Sequence, residues 1–336
     1  MTVLCLVELD GTGAADASLR ALTFARSVAG SGGGLAAVVF GQTTALNGGA
    51  RQGEAPAGET LAAYGVTDVY VVEPGQVAGY APLAWARVLA GLIGPAGADA
   101  VLAAGTDRGS EVMAHLGALT GLPMAANCVS AALSGPGTWQ IVRQRWAGLL
   151  LEDAVLDAST ALATVATDTV APTPAAAPAA LTIHAHQPEL EDGDLAVLAT
   201  ESAAQSGGVS LASARVVVGG GRGVGGPEGF APLEELAGLL GGVVGVSRVV
   251  TSEGWRPHKQ QVGQTGTKIT PELYLACGIS GAIQHIAGCA SAKHIVAVNS
   301  DAGAPILGHA EYAVIGDLHE VIPALVAAIK ARSGSA

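Results

Sequence analysis

Short apolar runs alternate with helical patterns along the first 120 residues. Four runs are nearly continuous in Val, Leu and Ala, which is typical of strands buried on both faces of a parallel sheet. They span residues 3–9, 35–40, 68–73 and 100–104. The apolar spacing after each run indicates a helix, over residues 14–29, 58–64, 81–92 and 110–120. This strand–helix rhythm predicts a doubly wound parallel sheet.

The pattern becomes alternating between residues 139 and 168. Short strands are predicted over residues 141–146, 149–156 and 161–167, as at the antiparallel edge of a mixed sheet. A segment rich in Pro and Ala follows at 171–178 and predicts an extended loop.

A second strand–helix rhythm begins near residue 214. Strands are predicted over residues 214–219, 243–246, 273–277, 295–299 and 313–315. Helices are predicted over residues 232–240, 283–288 and 318–332. The fold class that follows is α/β, with two doubly wound parallel-sheet domains. We expect an amino-terminal domain at 1–190, a linker at 191–208 and a second domain at 209–336.

Composition and charge narrow the function classes. Asp and Glu number 28 against 16 Lys and Arg, and the net charge of −12 disfavours a nucleic-acid partner. Every window of about 20 residues contains a charge or a helix breaker, so the sequence does not predict a membrane protein. The four cysteines are far apart and form no Cys-x-x-Cys, which disfavours disulfides and a metal site. A reducing, cytoplasmic location fits this cysteine usage.

Two motifs in the amino half admit a functional and a structural interpretation. Residues 106–111 follow a strand and open a helix, which is a usual place for a ligand. Thr106 also fits a helix N-cap, and we favour this structural interpretation. His184 and His186 lie on one strand face, where they could bind a metal. Because neither a cysteine nor a third histidine is near in the sequence, we favour an exposed pair at a sheet edge.

The carboxyl half places polar, glycine-rich segments after its predicted strands. These segments are 219–223, 247–248, 261–267, 278–285, Asn299 and 317–318. Segment 261–267 is too polar and rich in glycine to be core, and segment 278–285 is typical of a loop that feeds a helix N-terminus, where backbone amides bind anions. The carboxyl ends of parallel strands share one edge, where nucleotide-like cofactors bind. The spacing matches neither the dinucleotide fingerprint nor a P-loop.

These motifs carry a resemblance to a known family. Residues 219–325 closely resemble the FAD-binding domain of the electron transfer flavoprotein alpha subunit. The matching motifs are GGRG at 220–223, SR at 247–248, QVGQTG at 261–266, PELY at 271–274, GISGAIQHIAG at 278–288 and IVAVNSD at 295–301. The amino half resembles the same family more loosely, through its first strand, AAYG at 62–65 and the segment around 100–112.

The resemblance implies an electron carrier rather than an enzyme with its own substrate. Its second domain would be an FAD-binding Rossmann-like (deoxyhypusine-synthase-like) domain, and its amino-terminal domain would pack on a beta subunit to form a heterodimer. Members accept electrons from flavin dehydrogenases, such as the acyl-CoA dehydrogenases of fatty acid beta-oxidation, and pass them to a quinone reductase or another acceptor. The FAD-binding positions carried over are Arg222, Ser247, Arg248, Val262, Gly263, Gln264, Thr265, Ser280, Gly281, Ala282, Ile283, Gln284, His285, Asn299, Asp317 and Leu318. Among them, Arg248, Thr265 and His285 would tune the flavin potential.

The chain departs from the family pattern in two places. Many members have Gly-Lys where this chain has Gly266 and Thr267, and the position after Asn299 is often Lys but is Ser300 here. Two other functions stay open on the residues alone. One is an NAD- or FAD-dependent dehydrogenase acting on its own small substrate, and the other is a relative that has lost its flavin and serves as a scaffold.

Overall fold

The computed structural model describes residues 1–10, 13–43, 46, 56–75, 77, 79–148, 150–199, 210–212 and 214–333. The chain divides into two compact units, Met1–Ala203 and Ala204–Ala336. We call them the amino unit and the carboxyl unit. Residues 200–208 of the expected linker, and residue 209, lie outside the described residues. No helix in the described ranges is both long and apolar enough to cross a lipid bilayer.

The amino unit is built on a nine-stranded sheet. Its strands are β1 (Thr2–Val7), β4 (Gly34–Phe40), β5 (Asp68–Val72), β6 (Ala100–Ala104), β7 (Met124–Gly135), β8 (Thr138–Arg145), β9 (Leu150–Asp157), β10 (Ala161–Val165) and β11 (Thr182–His186). Two short strands, β2 (Leu9–Asp10) and β3 (Gly13–Ala14), form a separate ribbon. The order in the large sheet is β11-β5-β4-β1-β6-β10-β7-β8-β9. All neighbours are parallel from β11 to β7, and β7, β8 and β9 are antiparallel.

Among the described residues of the amino unit, four helices cover the two faces of this sheet. They are α1 (Asp16–Ala29), α2 (Ala57–Ala63), α3 (Pro82–Ile93) and α4 (Asp107–Thr120). Successive residues of β1 point to opposite faces: Cys5 packs in one apolar cluster with α1 and α2, and Leu6 packs in the other with α3 and α4. This arrangement is the doubly wound sheet that the sequence predicts.

The position of β10 is where the sequence prediction is wrong. The alternating pattern assigned this strand to the antiparallel edge, but it lies between β6 and β7, is parallel to both, and has all five residues buried. The chain first forms β7, β8 and β9 and then returns to the middle of the sheet. Strand β7 was not predicted because Ala, Ser, Asn and Gly, which are weak strand formers, make up most of it.

The first ambiguous motif of the amino half is the helix N-cap that we favoured, and the two histidines lie on an edge strand, as expected, but are only partly exposed. The Thr106 hydroxyl accepts a hydrogen bond from the Gly109 amide at 2.9 Å, as an N-cap of α4 does. Strand β11 is an edge strand, and Nε2 of His184 lies 2.8 Å from a carboxylate oxygen of Asp68 on the neighbouring strand β5.

The carboxyl unit is a five-stranded, wholly parallel sheet. Its strands are β12 (Val216–Gly220), β13 (Val243–Val246), β14 (Leu273–Cys277), β15 (His294–Asn299) and β16 (Tyr312–Ile315). Its helices are α5 (Ala231–Leu239), α6 (Arg248–Ser252), α7 (Ile283–Cys289) and α8 (Leu318–Ser333). The strand order is β13-β12-β14-β15-β16. One apolar cluster joins the sheet to α5, α6 and α8, and a second joins it to α7, so this sheet is also doubly wound.

Candidate functional site

The carboxyl ends of all five strands of the carboxyl unit lie at one edge, because the strands are parallel. The chain leaves β12 toward β13 on one side and later forms β14 on the other side. The edge between β12 and β14 is therefore a topological switch point, the usual ligand position in such sheets. The predicted site residues follow these strand ends, so the structure brings them to this edge.

Glycines let the loops after β12 and β14 pack backbone against backbone. A Cβ on Gly221 would lie 2.2 Å from the Gly278 carbonyl oxygen, and one on Gly223 would lie 2.7 Å from the Gly278 Cα. The Gly223 amide donates to the Gly278 carbonyl at 3.0 Å. Because these contacts leave no room for a side chain, Arg222 between them is directed to the surface, where it is exposed.

The loop after β13 positions Ser247 and Arg248. The Ser247 amide donates to the carbonyl of Gly220, the last residue of β12, at 3.0 Å. This bond joins the ends of the two strands and buries Ser247. Arg248 begins α6 directly after the carboxyl end of β13, and its side chain is exposed.

Segment 261–267 extends this edge and is fastened to α7. The Val262 amide donates to the Val246 carbonyl at 2.8 Å, and the Gln264 amide donates to the Gln284 carbonyl at 2.7 Å. Gly263 has a φ of +143°, and a Cβ on Gly288 of α7 would lie 2.3 Å from the Gly263 nitrogen. Only glycine fits this crossing of loop and helix.

The expectation that segment 261–267 stays out of the core is wrong for its first three residues. Gln261, Val262 and Gly263 are buried. The side-chain Nε2 atom of Gln261 donates to the Thr265 hydroxyl at 2.9 Å, and its side-chain Oε1 atom accepts from the Thr251 hydroxyl at 2.6 Å. Gln261 thus orients Thr265, and it was missing from the predicted site although it stands in the QVGQTG motif.

Segment 278–285 is a loop that feeds α7, as the sequence predicts. Gly281 has a φ of +84°, and a Cβ there would lie 2.3 Å from the backbone nitrogen of Ile306. The residues after it, Ala282, Ile283 and Gln284, are exposed, as is Ser280 before it. Because α7 begins at Ile283, the amides of Ile283 and Gln284 have no intrahelical partner, whereas the His285 amide donates to the Ala282 carbonyl at 2.8 Å.

His285 differs from its neighbours because it is buried. Its Nε2 atom lies 2.7 Å from the hydroxyl of Tyr274, which is fully buried. Burial lowers the pKa of His285 to about 4, and the nearby backbone of Val262 opposes this shift only in part. The imidazole is therefore neutral at pH 7. Tyr274, like Gln261, was absent from the predicted site, although it stands in the PELY motif.

The last three predicted residues make contacts within the protein. The side-chain Nδ2 atom of Asn299 donates to the Ile279 carbonyl at 2.8 Å, and its side-chain Oδ1 atom accepts from the Asp301 backbone amide at 3.0 Å. Asp317 accepts from the His319 amide at 2.9 Å at the start of α8. Leu318 is buried beneath Gly278, where a Cβ would lie 2.7 Å from its Cδ2 atom. These contacts hold the ends of β14, β15 and β16 in place.

The edge therefore presents guanidinium, hydroxyl and amide groups beside apolar surface. Ile283 is 66% exposed, and Arg248, Gln264 and Thr265 are exposed with it. Such a mixture suits an elongated cofactor that has phosphates, hydroxyl groups and a flat ring.

Comparisons with known proteins identify the family of both units. The model of the electron transfer flavoprotein domain matches residues 3–191, and that of the electron transfer flavoprotein FAD-binding domain matches residues 210–290. The electron transfer flavoprotein subunit alpha of Mycobacterium tuberculosis (strain ATCC 25618 / H37Rv) is 38% identical over 299 residues, which are 89% of this chain and 92% of its own length. The subunit alpha of Bacillus subtilis (strain 168) is 33% identical over 273 residues, 81% of this chain and 83% of its own length. That of Thermoanaerobacterium thermosaccharolyticum is 53% identical over 122 residues, 36% of this chain and 37% of its own length.

Proposed function

The chain belongs to the electron transfer flavoprotein family as an alpha subunit, and we propose that it passes electrons from flavin dehydrogenases to a quinone reductase or another acceptor. Its cofactor is FAD, in keeping with the FAD-binding domain matched over residues 210–290. We propose acyl-CoA dehydrogenases as donors, which would connect the chain to fatty acid beta-oxidation in the cytoplasm. FAD itself supplies the redox chemistry, and the chain binds it, orients it and sets its potential.

The observation that carries the proposed site is the gathering of polar loops at one edge of the carboxyl sheet. Arg222 and the first amides of α7 are suited to phosphate, since a guanidinium and free backbone amides both bind anions. Thr265, held by Gln261, and the exposed Gln264 and Gln284 are suited to hydroxyl groups and to the polar edge of a flavin. We assign FAD binding to the sixteen positions named above, and redox tuning to Arg248, Thr265 and His285.

Asn299 and Leu318 contribute to this site through backbone position. Their side chains are engaged in holding the strand ends, as described above. We propose that they shape the loops around FAD, whereas the exposed side chains contact it.

The family implies a heterodimer with a beta subunit, and we propose a surface for it. Strands β8 and β9 of the amino unit carry exposed large apolar side chains at their connection and along β9. They are Trp146 at 78% exposure, Leu150 at 55%, Leu151 at 67% and Val155 at 58%. Leu151 and Val155, four residues apart on β9, share one face, and exposed apolar patches of this kind mark protein interfaces.

Coexpression with the beta subunit tests the proposed function. We expect a yellow heterodimer whose bound flavin is FAD and which an acyl-CoA dehydrogenase reduces in the presence of its substrate. A folded heterodimer without flavin would contradict the proposal, and so would a flavoprotein that no flavin dehydrogenase reduces.

A pair of arginine variants tests the proposed edge. Arg222 follows the carboxyl end of β12, and Arg215 precedes its amino end, and both side chains are exposed. Arg222→Ala is expected to weaken FAD retention during dialysis, whereas Arg215→Ala removes only a surface ion pair with Glu272 and leaves retention unchanged. Equal retention in the two variants would place FAD elsewhere.

A further inference from the structure

We propose that Tyr274 is a positioning residue: its buried hydroxyl donates a hydrogen bond to Nε2 of His285 and so fixes the imidazole proton on Nδ1. The distance between the hydroxyl oxygen and Nε2 is 2.7 Å. The consequence for FAD rests on the proposed function, but the proton position does not depend on it.

The fold makes a specific place for this hydroxyl. Tyr274 lies on the central strand β14 with no exposed surface, and its ring is packed under β12. A Cβ on Gly219 would lie 2.3 Å from the Tyr274 hydroxyl oxygen and 2.6 Å from its ring. The φ of Gly219 is not in the positive region, so a turn does not require this glycine. The space that it leaves is occupied by the Tyr274 hydroxyl.

The direction of the hydrogen bond follows from what each group can donate. Burial raises the pKa of Tyr274 well above its usual value, so the hydroxyl keeps its proton. Within the described part of the chain, that hydroxyl contacts Nε2 of His285, and a buried O–H without an acceptor is unfavourable. The hydroxyl therefore donates, and Nε2 accepts. A neutral imidazole carries one proton, which must then lie on Nδ1.

Nδ1 is consequently a buried donor, and the group that it faces is the backbone of Val262. The backbone of Val262 lies beside the ring and raises the pKa of His285 against the effect of burial, as a carbonyl that faces an imidazole N–H does, although Nδ1 falls short of full hydrogen-bond geometry. His285 directly follows Gln284, whose side chain is exposed at the proposed FAD edge. A proton on Nδ1 suits the Val262 backbone acceptor, whereas the opposite tautomer would set a lone pair against it. Tyr274 thereby fixes the proton position, and hence the dipole direction, of a neutral imidazole next to the proposed FAD edge.

Nitrogen NMR tests the proton position directly. The full chain is labelled with ¹⁵N-histidine, assembled with the beta subunit, and measured before and after FAD is removed. The chain has 8 histidines, and the spectrum of a His285→Gln variant identifies the signals of His285. We expect the wild type to show a protonated Nδ1 and an unprotonated Nε2 in both states. A protonated Nε2 in the wild type overturns the proposal.

Two tyrosine variants separate positioning from general structure. Tyr274→Phe keeps the ring volume and removes the donor, so the proton is expected to redistribute between the two nitrogens. Tyr312→Phe, at a residue that is 65% exposed in the same unit, is expected to leave it on Nδ1. In the FAD-loaded heterodimer, Tyr274→Phe is also expected to shift the flavin potential, and Tyr312→Phe is not.

Each remaining outcome decides the question. An unchanged tautomer in Tyr274→Phe overturns the proposal even if FAD binds normally. A changed tautomer with an unchanged potential supports the role of Tyr274 and removes its effect on the flavin. If Tyr274→Phe fails to fold, 3-fluorotyrosine replaces tyrosine. Its more acidic hydroxyl must shift the Nε2 signal of His285, and an unshifted signal counts against the hydrogen bond.

Discussion

The contact between Gly288 and Gly263 gives the sharpest test of how the site is assembled. A Cβ on Gly288 would lie 2.3 Å from the Gly263 nitrogen and 2.4 Å from its Cα, where ordinary contact begins at 3.4 Å. Gly288→Ala must therefore push segment 261–267 away from α7 by about 1 Å. That displacement stretches two hydrogen bonds, from the Gln264 amide to the Gln284 carbonyl and from the Ile269 amide to the Gly288 carbonyl.

The expected cost follows from these contacts. Overpacking costs about 1–3 kcal/mol, and each weakened hydrogen bond costs about 1 kcal/mol. The higher helix propensity of Ala offsets at most about 1 kcal/mol of this destabilisation. We expect a net destabilisation of about 2–4 kcal/mol, concentrated in the loop that holds Thr265.

The assay combines FAD release on heating with hydrogen exchange at the amides of Gln264 and Ile269, in the FAD-loaded heterodimer. Gly238→Ala in α5 is the matched control, because a Cβ there meets nothing within 4 Å. The control is expected to stabilise by about 0.5–1 kcal/mol, since it only improves helix propensity. The reasoning is refuted if Gly288→Ala releases FAD at the same temperature as Gly238→Ala and leaves both amides equally protected.

Three further predictions concern charge and assembly. His285 has a native pKa of about 4 against 6.5 when unfolded, so the unfolded chain binds more protons, and the stability present above pH 6.5 is lost as the pH falls toward 4. Urea titrations are expected to show the wild type losing about 3 kcal/mol more than His285→Gln between pH 7 and 4, and equal losses would contradict the pKa. Arg248→Ala is expected to lower the first reduction potential of bound FAD, by at most the equivalent of about 3 kcal/mol. A spectroelectrochemical titration measures this shift, and an unchanged potential would remove Arg248 from redox tuning. Leu151→Ser is expected to weaken the heterodimer in sedimentation, whereas Leu239→Ser, at a residue exposed in the carboxyl unit, is not, and equal dissociation would contradict the proposed surface.

The sequence alone determines most of the strands and the edge at which the site lies. Strands β6, β13 and β14 have the predicted bounds, because a continuous apolar run between polar or glycine residues defines a buried strand locally. The parallel order follows from helices placed between strands, and the gathering of polar loops at one edge follows from that order. The motif resemblance predicts FAD as the cofactor, and the match of residues 210–290 to the FAD-binding domain supports this prediction.

Tertiary structure decided the place of β10 and the role of two glycines, because these depend on contacts between residues far apart in the sequence. The place of β10 in the sheet depends on β6 and β7, which come some 60 and 35 residues earlier in the chain. Gly219 is required by the hydroxyl of Tyr274, and Gly288 by the backbone of Gly263, although each sequence position resembles an ordinary glycine. A glycine looks the same in the sequence whether a turn or a close approach requires it, because its partner across the contact comes from another part of the chain.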